Sequence, residues 1–194
     1  MSATRKPSPK GKGSQTREQT ADAKPTDSAA RSKPAPSSEI SPGLILVATP
    51  IGNAADITLR ALDTLRQAHV IACEDTRVSR KLLTLHGIAT PTLSYHEHNA
   101  ARMRPRILER LRQGEAVALV SDAGMPLISD PGFGLVRACL DEGFPVTVIP
   151  GASASLAALV LSGLPRDRFL FAGFPPAQTA ARRTFPEGRQ APGG

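Results

Sequence analysis

Ala116-Val-Ala-Leu-Val120, followed at once by Ser121-Asp-Ala-Gly-Met-Pro-Leu-Ile-Ser-Asp-Pro-Gly132, decides the fold class of this chain. The first segment is a continuous apolar run, the pattern of a strand buried on both faces. The second holds two glycines, two prolines and two aspartates in twelve residues. Beyond it, Phe133, Val136, Ala138 and Leu140 give a helical stripe that Gly143 closes. The order is strand, loop, helix. Glycine lets a backbone approach a ligand closely, and proline fixes the shape of the loop. Carboxylates then stand at the carboxyl edge of the sheet, where open α/β sheets bind ligands. A loop this long in a compact domain is usually functional.

The same unit recurs on either side. Leu44-Ile-Leu-Val-Ala48 is an apolar run followed by Thr49-Pro-Ile-Gly-Asn53 and a helix capped by Asp56. Val70-Ile-Ala-Cys73 leads into Glu74-Asp-Thr-Arg77 and a helix carrying Val78, Leu82, Leu83 and Leu85 to a stop at Gly87. Thr92-Leu-Ser-Tyr95 is a weaker strand before His96-Glu-His-Asn99 and a basic helix to Gln113. Pro145-Val-Thr-Val-Ile149 precedes Pro150-Gly-Ala-Ser153 and an apolar helix from Leu156 to Leu161. Arg168-Phe-Leu-Phe-Ala172 reads as a sixth strand or a hinge. Strands alternating with helices imply an α/β fold: a mostly parallel five-stranded sheet with helices on both faces.

Composition divides the chain into three. Residues 43–174 are long enough for one well-buried core. Residues 1–42 are rich in Ser, Thr, Pro, Ala and Lys and nearly devoid of large apolar side chains, so they read as a disordered basic tail. That tail holds eight Lys or Arg against four acids, and the rest sixteen against thirteen, within a net charge of +7. Over half of the basic excess therefore lies outside the expected domain. The tail's acids argue against an organellar transit peptide, and no apolar run reaches transmembrane length. Residues 175–194 are too rich in Pro and Gly to build an element and read as an irregular end, either natural or standing in place of a second domain.

Cys73 and Cys139 sit in apolar strand and helix patterns and read as small buried hydrophobes of a reducing compartment. No metal site is expected, since His96 and His98 are the only pair near ligand spacing, and two residues apart is a weak signal.

Several motifs occur in one order: Ala48-Thr-Pro-Ile-Gly-Asn53, Asp56-Ile-Thr58, Ala72-Cys-Glu-Asp-Thr-Arg77, Tyr95-His-Glu-His-Asn99, the Ser121 to Gly132 loop, Pro150-Gly151 and Leu161-Ser-Gly-Leu-Pro165. Together they closely resemble the bacterial small-subunit rRNA (cytidine-2′-O-)-methyltransferase family, within the tetrapyrrole-methylase-like, class III methyltransferases. The resemblance covers about residues 43–174. It implies S-adenosylmethionine as cofactor and methyl transfer to a ribose 2′-hydroxyl of a cytidine in the decoding region of 16S rRNA. It further implies a cytoplasmic enzyme with the small ribosomal subunit as partner, homodimeric at full length. Met125 departs from the Thr usual in that family. A second α/β domain normally follows a Gly-Phe-Leu-Pro-Pro-Lys-like segment, and here Gly173-Phe-Pro-Pro-Ala-Gln178 begins that pattern and loses it. A frameshift or truncation, leaving half of the interdomain cofactor cleft, is the expectation.

Such a transfer needs the nucleophile, methyl group and sulfur held in line, and a base to take the hydroxyl proton. The strand-end loops offer Glu74, Asp75, His96, Glu97 and His98, with Arg77 suited to holding a phosphate. Glu74 and Asp75 read equally well as caps of the next helix, and the histidines as exposed loop residues. No single base stands out. For the cofactor, Thr49, Pro50, Gly52, Asp122, Ala123, Gly124, Pro126 and Ile128 would line a largely neutral pocket from two neighbouring strands. The resemblance adds Gly151 and Ser153; the plain alternative for Gly151 is a turn opening the next helix. Five arginines between Arg102 and Arg112 are candidates for rRNA phosphates, or a solvated helix face. A tetrapyrrole or other small-molecule acceptor, and a noncatalytic ribosome-binding module, are the alternative readings.

Overall fold

The computed structural model describes residues 39–128 and 132–175. The expected tail up to residue 38 and the expected irregular end from residue 176 lie outside the described residues. Five apolar runs form the strands β1 (Gly43–Val47), β2 (Val70–Cys73), β3 (Thr92–Ser94), β4 (Ala116–Val120) and β5 (Val146–Ile149). The helices are α1 (Leu59–Gln67), α2 (Thr76–Leu85), α3 (Ala100–Arg112), α4 (Phe133–Asp141) and α5 (Ala154–Leu161). The sheet order is β3-β2-β4-β1-β5 and every pairing is parallel. Every residue of β4 is buried, as a central strand between two helical layers requires.

Alternation along the strands feeds two cores. On one face Ile45, Val47, Ile71, Cys73, Ala118 and Val120 meet Ala61 and Leu65 of α1 and Leu83 of α2. On the other Leu44, Val70, Ala72, Val117 and Leu119 meet Met103, Ile107 and Leu111 of α3 and Leu135 and Cys139 of α4. Register is set by Ile45 opposite Ala118, and by Ile71 opposite the same Ala118 from the other side. A small residue between two isoleucines leaves room for both.

Two expectations are corrected, and two are refined. Asp56 does not cap α1; it ends a short 3-10 turn, and the Thr58 hydroxyl accepts the Ala61 amide instead. The stripe on α4 is phased differently, with Leu135 and Cys139 buried while Phe133 is 71% and Leu140 57% exposed. Among the described residues, 168–172 form no strand. At the β5 edge the sheet is not covered on both faces, because Thr147 and Val148 are exposed and α5 buries no residue among those described.

Candidate functional site

All five strand-end loops open at the same carboxyl edge, since the strands are parallel. β1 leads into α1 on one face, while its neighbour β4 leads into α4 on the other. The loops after these adjacent strands part to opposite faces and leave a crevice, the usual ligand position of such sheets.

The crevice is laced by backbone. Thr49 and Gly124 form an isolated antiparallel bridge, the Thr49 amide donating to the Gly124 carbonyl at 2.9 Å and the Gly124 amide returning at 3.1 Å. The Thr49 hydroxyl donates to the Ser121 carbonyl at 3.1 Å. The Ser121 hydroxyl turns back to the carbonyls of Ala123 and Gly124, at 3.3 and 3.4 Å. Gly124 has φ of +80°, a left-handed backbone that L side chains resist. A Cβ there would stand 3.3 Å from Ile51 Cγ2 and 3.5 Å from the Ala152 carbonyl oxygen. Three loops, after β1, β4 and β5, therefore converge on one glycine.

Two cavities flank this bridge, and each takes one of its residues. One, of about 340 Å³, is lined by Thr49, Pro50, Gly52 and Asp122 together with Val78, Ser79, Lys81, Leu82 and Leu85 of α2. The other, of about 460 Å³, is lined by Ile51, Ala123, Gly124, Met125, Ile128, Ser153, Phe171 and Phe174. The structure thus divides the residues expected around the cofactor between two spaces. Pro126 is buried and borders neither. Gly151 borders neither as well, and its closeness to Ala48 explains it: a Cβ would come within 2.8 Å of Ala48 Cβ.

Among the candidate catalytic groups, Asp75 is occupied. Its Oδ1 accepts the Arg77 amide at 2.8 Å and caps α2, and Oδ2 receives the Arg77 guanidinium at 2.7 Å. The hydrogen bonds from Arg77 hold this carboxyl at about 2, well below its ordinary range. So acidic a group is a weak proton acceptor near neutral pH. The capping reading of Asp75 is thus the one its hydrogen bonds display. Its own amide donates to Asp122 Oδ1 at 3.2 Å, joining the loops after β2 and β4. Arg77, with its side chain 86% exposed, turns toward Asp75.

His96 and Glu74 are half-buried at the ends of β3 and β2. The His96 amide donates to Asn99 Oδ1 at 2.9 Å, and Asn99 Nδ2 donates to the Ser94 carbonyl, which fixes the turn. His96 Nδ1 is buried without a hydrogen-bond partner among the described residues, and the His96 and His98 rings meet edge to face at 6.0 Å. The two histidines lie in the turn beyond β3 rather than on a strand face.

Two of the five α3 arginines are ion-paired: Arg110 with Glu115 at 2.6 Å, and Arg112 with Glu142 at 2.7 Å and Glu109 at 3.2 Å. Both thiols are buried, and burial pushes the Cys139 thiol up to about 11 and Cys73 upward as well. Sequence reasoning missed Ser79, Lys81, Phe171 and Phe174 as cavity residues. Ser79 carried a signal: a polar residue four places before buried Leu83 on the same helix face.

A parallel α/β sheet whose glycine loops meet at a switch point defines a ligand-binding domain of the open α/β class. Residues 43–183 match the family described as Tetrapyrrole (Corrin/Porphyrin) Methylases, and the chain belongs to that family. It is 58% identical over 149 residues to ribosomal RNA small subunit methyltransferase I of Mesorhizobium japonicum, covering 77% of this chain and 51% of that protein. It is 54% identical to the protein of the same name from Halalkalibacterium halodurans, covering 72% and 48%. Among solved structures, the fold is similar to that of the cobalamin biosynthetic enzyme cobalt precorrin-4 methyltransferase, with TM-score 0.51, 24% identity and coverage of 61% and 49%. The chain spans about half the length of the curated relatives it matches.

Proposed function

We propose that this chain carries the cofactor-binding part of an S-adenosylmethionine-dependent methyltransferase. The acceptor is the ribose 2′-hydroxyl of a cytidine in the decoding region of 16S rRNA, within the small ribosomal subunit. The enzyme works in the cytoplasm and is homodimeric at full length. The observation that carries this reading is the convergence of three loops on Gly124, where a side chain would enter the space between Ile51 and Ala152. The likeness to small-subunit methyltransferases at 58% and 54% identity favours rRNA over a tetrapyrrole as acceptor.

The residues suit such a cofactor. The cavity at Gly124 and Ser153 is lined mainly by apolar side chains and hydroxyls, as a nucleoside with a short amino-acid tail requires. When bound, S-adenosylmethionine supplies an electrophilic methyl group. The protein's part would be to hold the ribose oxygen in line with that methyl group and to offer a base for the hydroxyl proton. The protein holds the loops after β1 and β4 in fixed relation through the Thr49–Gly124 bridge, so that alignment precedes reaction. Asp75 shapes the start of α2 instead of accepting the proton, which leaves Glu74 and His96 as candidates for that role.

The test is transfer of radiolabel from S-adenosylmethionine to undermethylated small ribosomal subunits, with Gly124→Ala alongside. Label in a cytidine 2′-O position of 16S rRNA that the variant fails to deliver supports the reading. Label in a tetrapyrrole acceptor alone would replace it with the small-molecule activity.

A further inference from the structure

The cavity beneath α2 is not explained by a cofactor at Gly124. We propose that it is a nucleobase pocket, taking a cytosine unstacked from single-stranded RNA while the outer face of α2 holds the flanking phosphates. This rests on the reading of an RNA acceptor above and assigns the subsite that would select its base.

The walls are flat aliphatic surfaces from Val78, Leu82 and Leu85 of α2 and from Pro50 and Leu65 opposite. At about 340 Å³ the space suits a small planar ring with its sugar. Its polar groups are few. The Ser79 hydroxyl is buried and makes no hydrogen bond among the described residues, with the Cys73 thiol, a weak partner, beside it. A hydroxyl met only by a thiol in an apolar wall is a cost that a ligand would reduce. Asp122 and Lys81 border the same space. Cytosine presents an amino group that a carboxylate accepts from, beside ring acceptors for a hydroxyl or an ammonium. Uracil would set a carbonyl against Asp122.

The rim carries matching charge. Arg77, Arg80, Lys81 and Thr84 follow helical spacing and share one exposed groove with Leu85. None of the ion pairs among the described residues uses Arg80 or Lys81, whereas Arg110 and Arg112 of α3 are neutralised. Arg80 and Lys81 are therefore available to phosphates beside the cavity. A base read inside a pocket must leave the stack, and the cavity and cationic face lie side by side for that purpose.

The experiment uses the full chain and short single-stranded RNAs that differ at one position: cytidine, uridine or an abasic residue between uridines. Binding is read by fluorescence anisotropy without methyl donor. The cytidine strand binds about tenfold more tightly than the other two, and Asp122→Asn removes that preference. Arg80→Glu with Lys81→Glu weakens all three strands alike and lowers the salt dependence by about two ions. Equal affinity for the three strands, or a preference that survives Asp122→Asn, overturns the proposal. S-adenosylmethionine binding is measured separately by calorimetry. Cytidine preference in a chain that binds no S-adenosylmethionine sinks the enzymatic reading and leaves the pocket standing; cofactor binding with no base preference does the reverse.

Discussion

The Arg77 guanidinium rests against the carboxylate of Asp75 two residues before it, at 2.7 Å, and that carboxylate also caps α2. Charge and cap are thus one device. Because the folded pKa is depressed from 3.8 to about 2, the stabilisation is present above the unfolded value and is lost as pH falls through the folded one. Asp75→Asn is expected to melt below the wild type at neutral pH, with the gap closing as pH drops from about 4 to about 2. Thermal melts across that window check it. A gap unchanged at the acid end would mean that charge is not involved. If Asp75 serves as the cap and not as the base, the pH–rate profile of the variant keeps the wild-type shape, and a lost limb would return Asp75 to the chemistry.

Gly124 is the second test. With φ of +80°, an alanine there strains the backbone by about 1–2 kcal/mol and its methyl group meets Ile51. Gly124→Val adds β-branching to the same strain, so a valine would lower the melting temperature as well as fill the space, and alanine is the cleaner probe. Calorimetry should show Gly124→Ala weakening S-adenosylmethionine at least tenfold in a protein that still folds. Unchanged affinity would move the cofactor away from this glycine.

A third expectation concerns Gly151 and Ala48. Adding a Cβ at Gly151 would bring two methyl groups to 2.8 Å, and such overpacking costs about 1–3 kcal/mol. Gly151→Ala should be destabilising, and Ala48→Gly in the same chain should recover much of the loss. Denaturant unfolding of both singles and the double gives the coupling. Additive effects would show that the two residues do not touch.

The fourth prediction separates two neighbouring caps. Thr58→Ala should cost about 1 kcal/mol through the lost bond to the Ala61 amide, whereas Asp56→Ala should change stability by less than about 0.5 kcal/mol. Chemical denaturation of the two variants is sufficient, and a larger loss at Asp56 would restore it as the cap.

The strands were legible because buried parallel strands write themselves as unbroken apolar runs. β2 and β4 match their runs residue for residue. The faces of α4 were not legible. Phe133, Leu135, Val136, Cys139 and Leu140 are apolar nearly all round, so periodicity names no single side. Asp56 and Thr58 are both good caps two residues apart, and only the intervening 3-10 turn decides between them. The edge glycine loops could be placed at the carboxyl edge from sequence, but their division into two cavities follows from the Thr49–Gly124 bridge. No local pattern encodes a pairing between residues so far apart in the chain.

The sheet order has a consequence for how the chain is made. β4 lies between β1 and β2, yet it is synthesised after both, and Thr49 finds its Ser121 carbonyl 72 residues later. Until β4 emerges, the nascent chain holds two apolar strands with no neighbour to share, the condition under which growing chains depend on holding factors. Insertion of β4 then joins both strands, and α4 and β5, made later still, complete the two cores and the crevice. Assembly of the ligand site is therefore a readout of completed folding, and a pulse-labelled chain should acquire protease resistance and ligand affinity together.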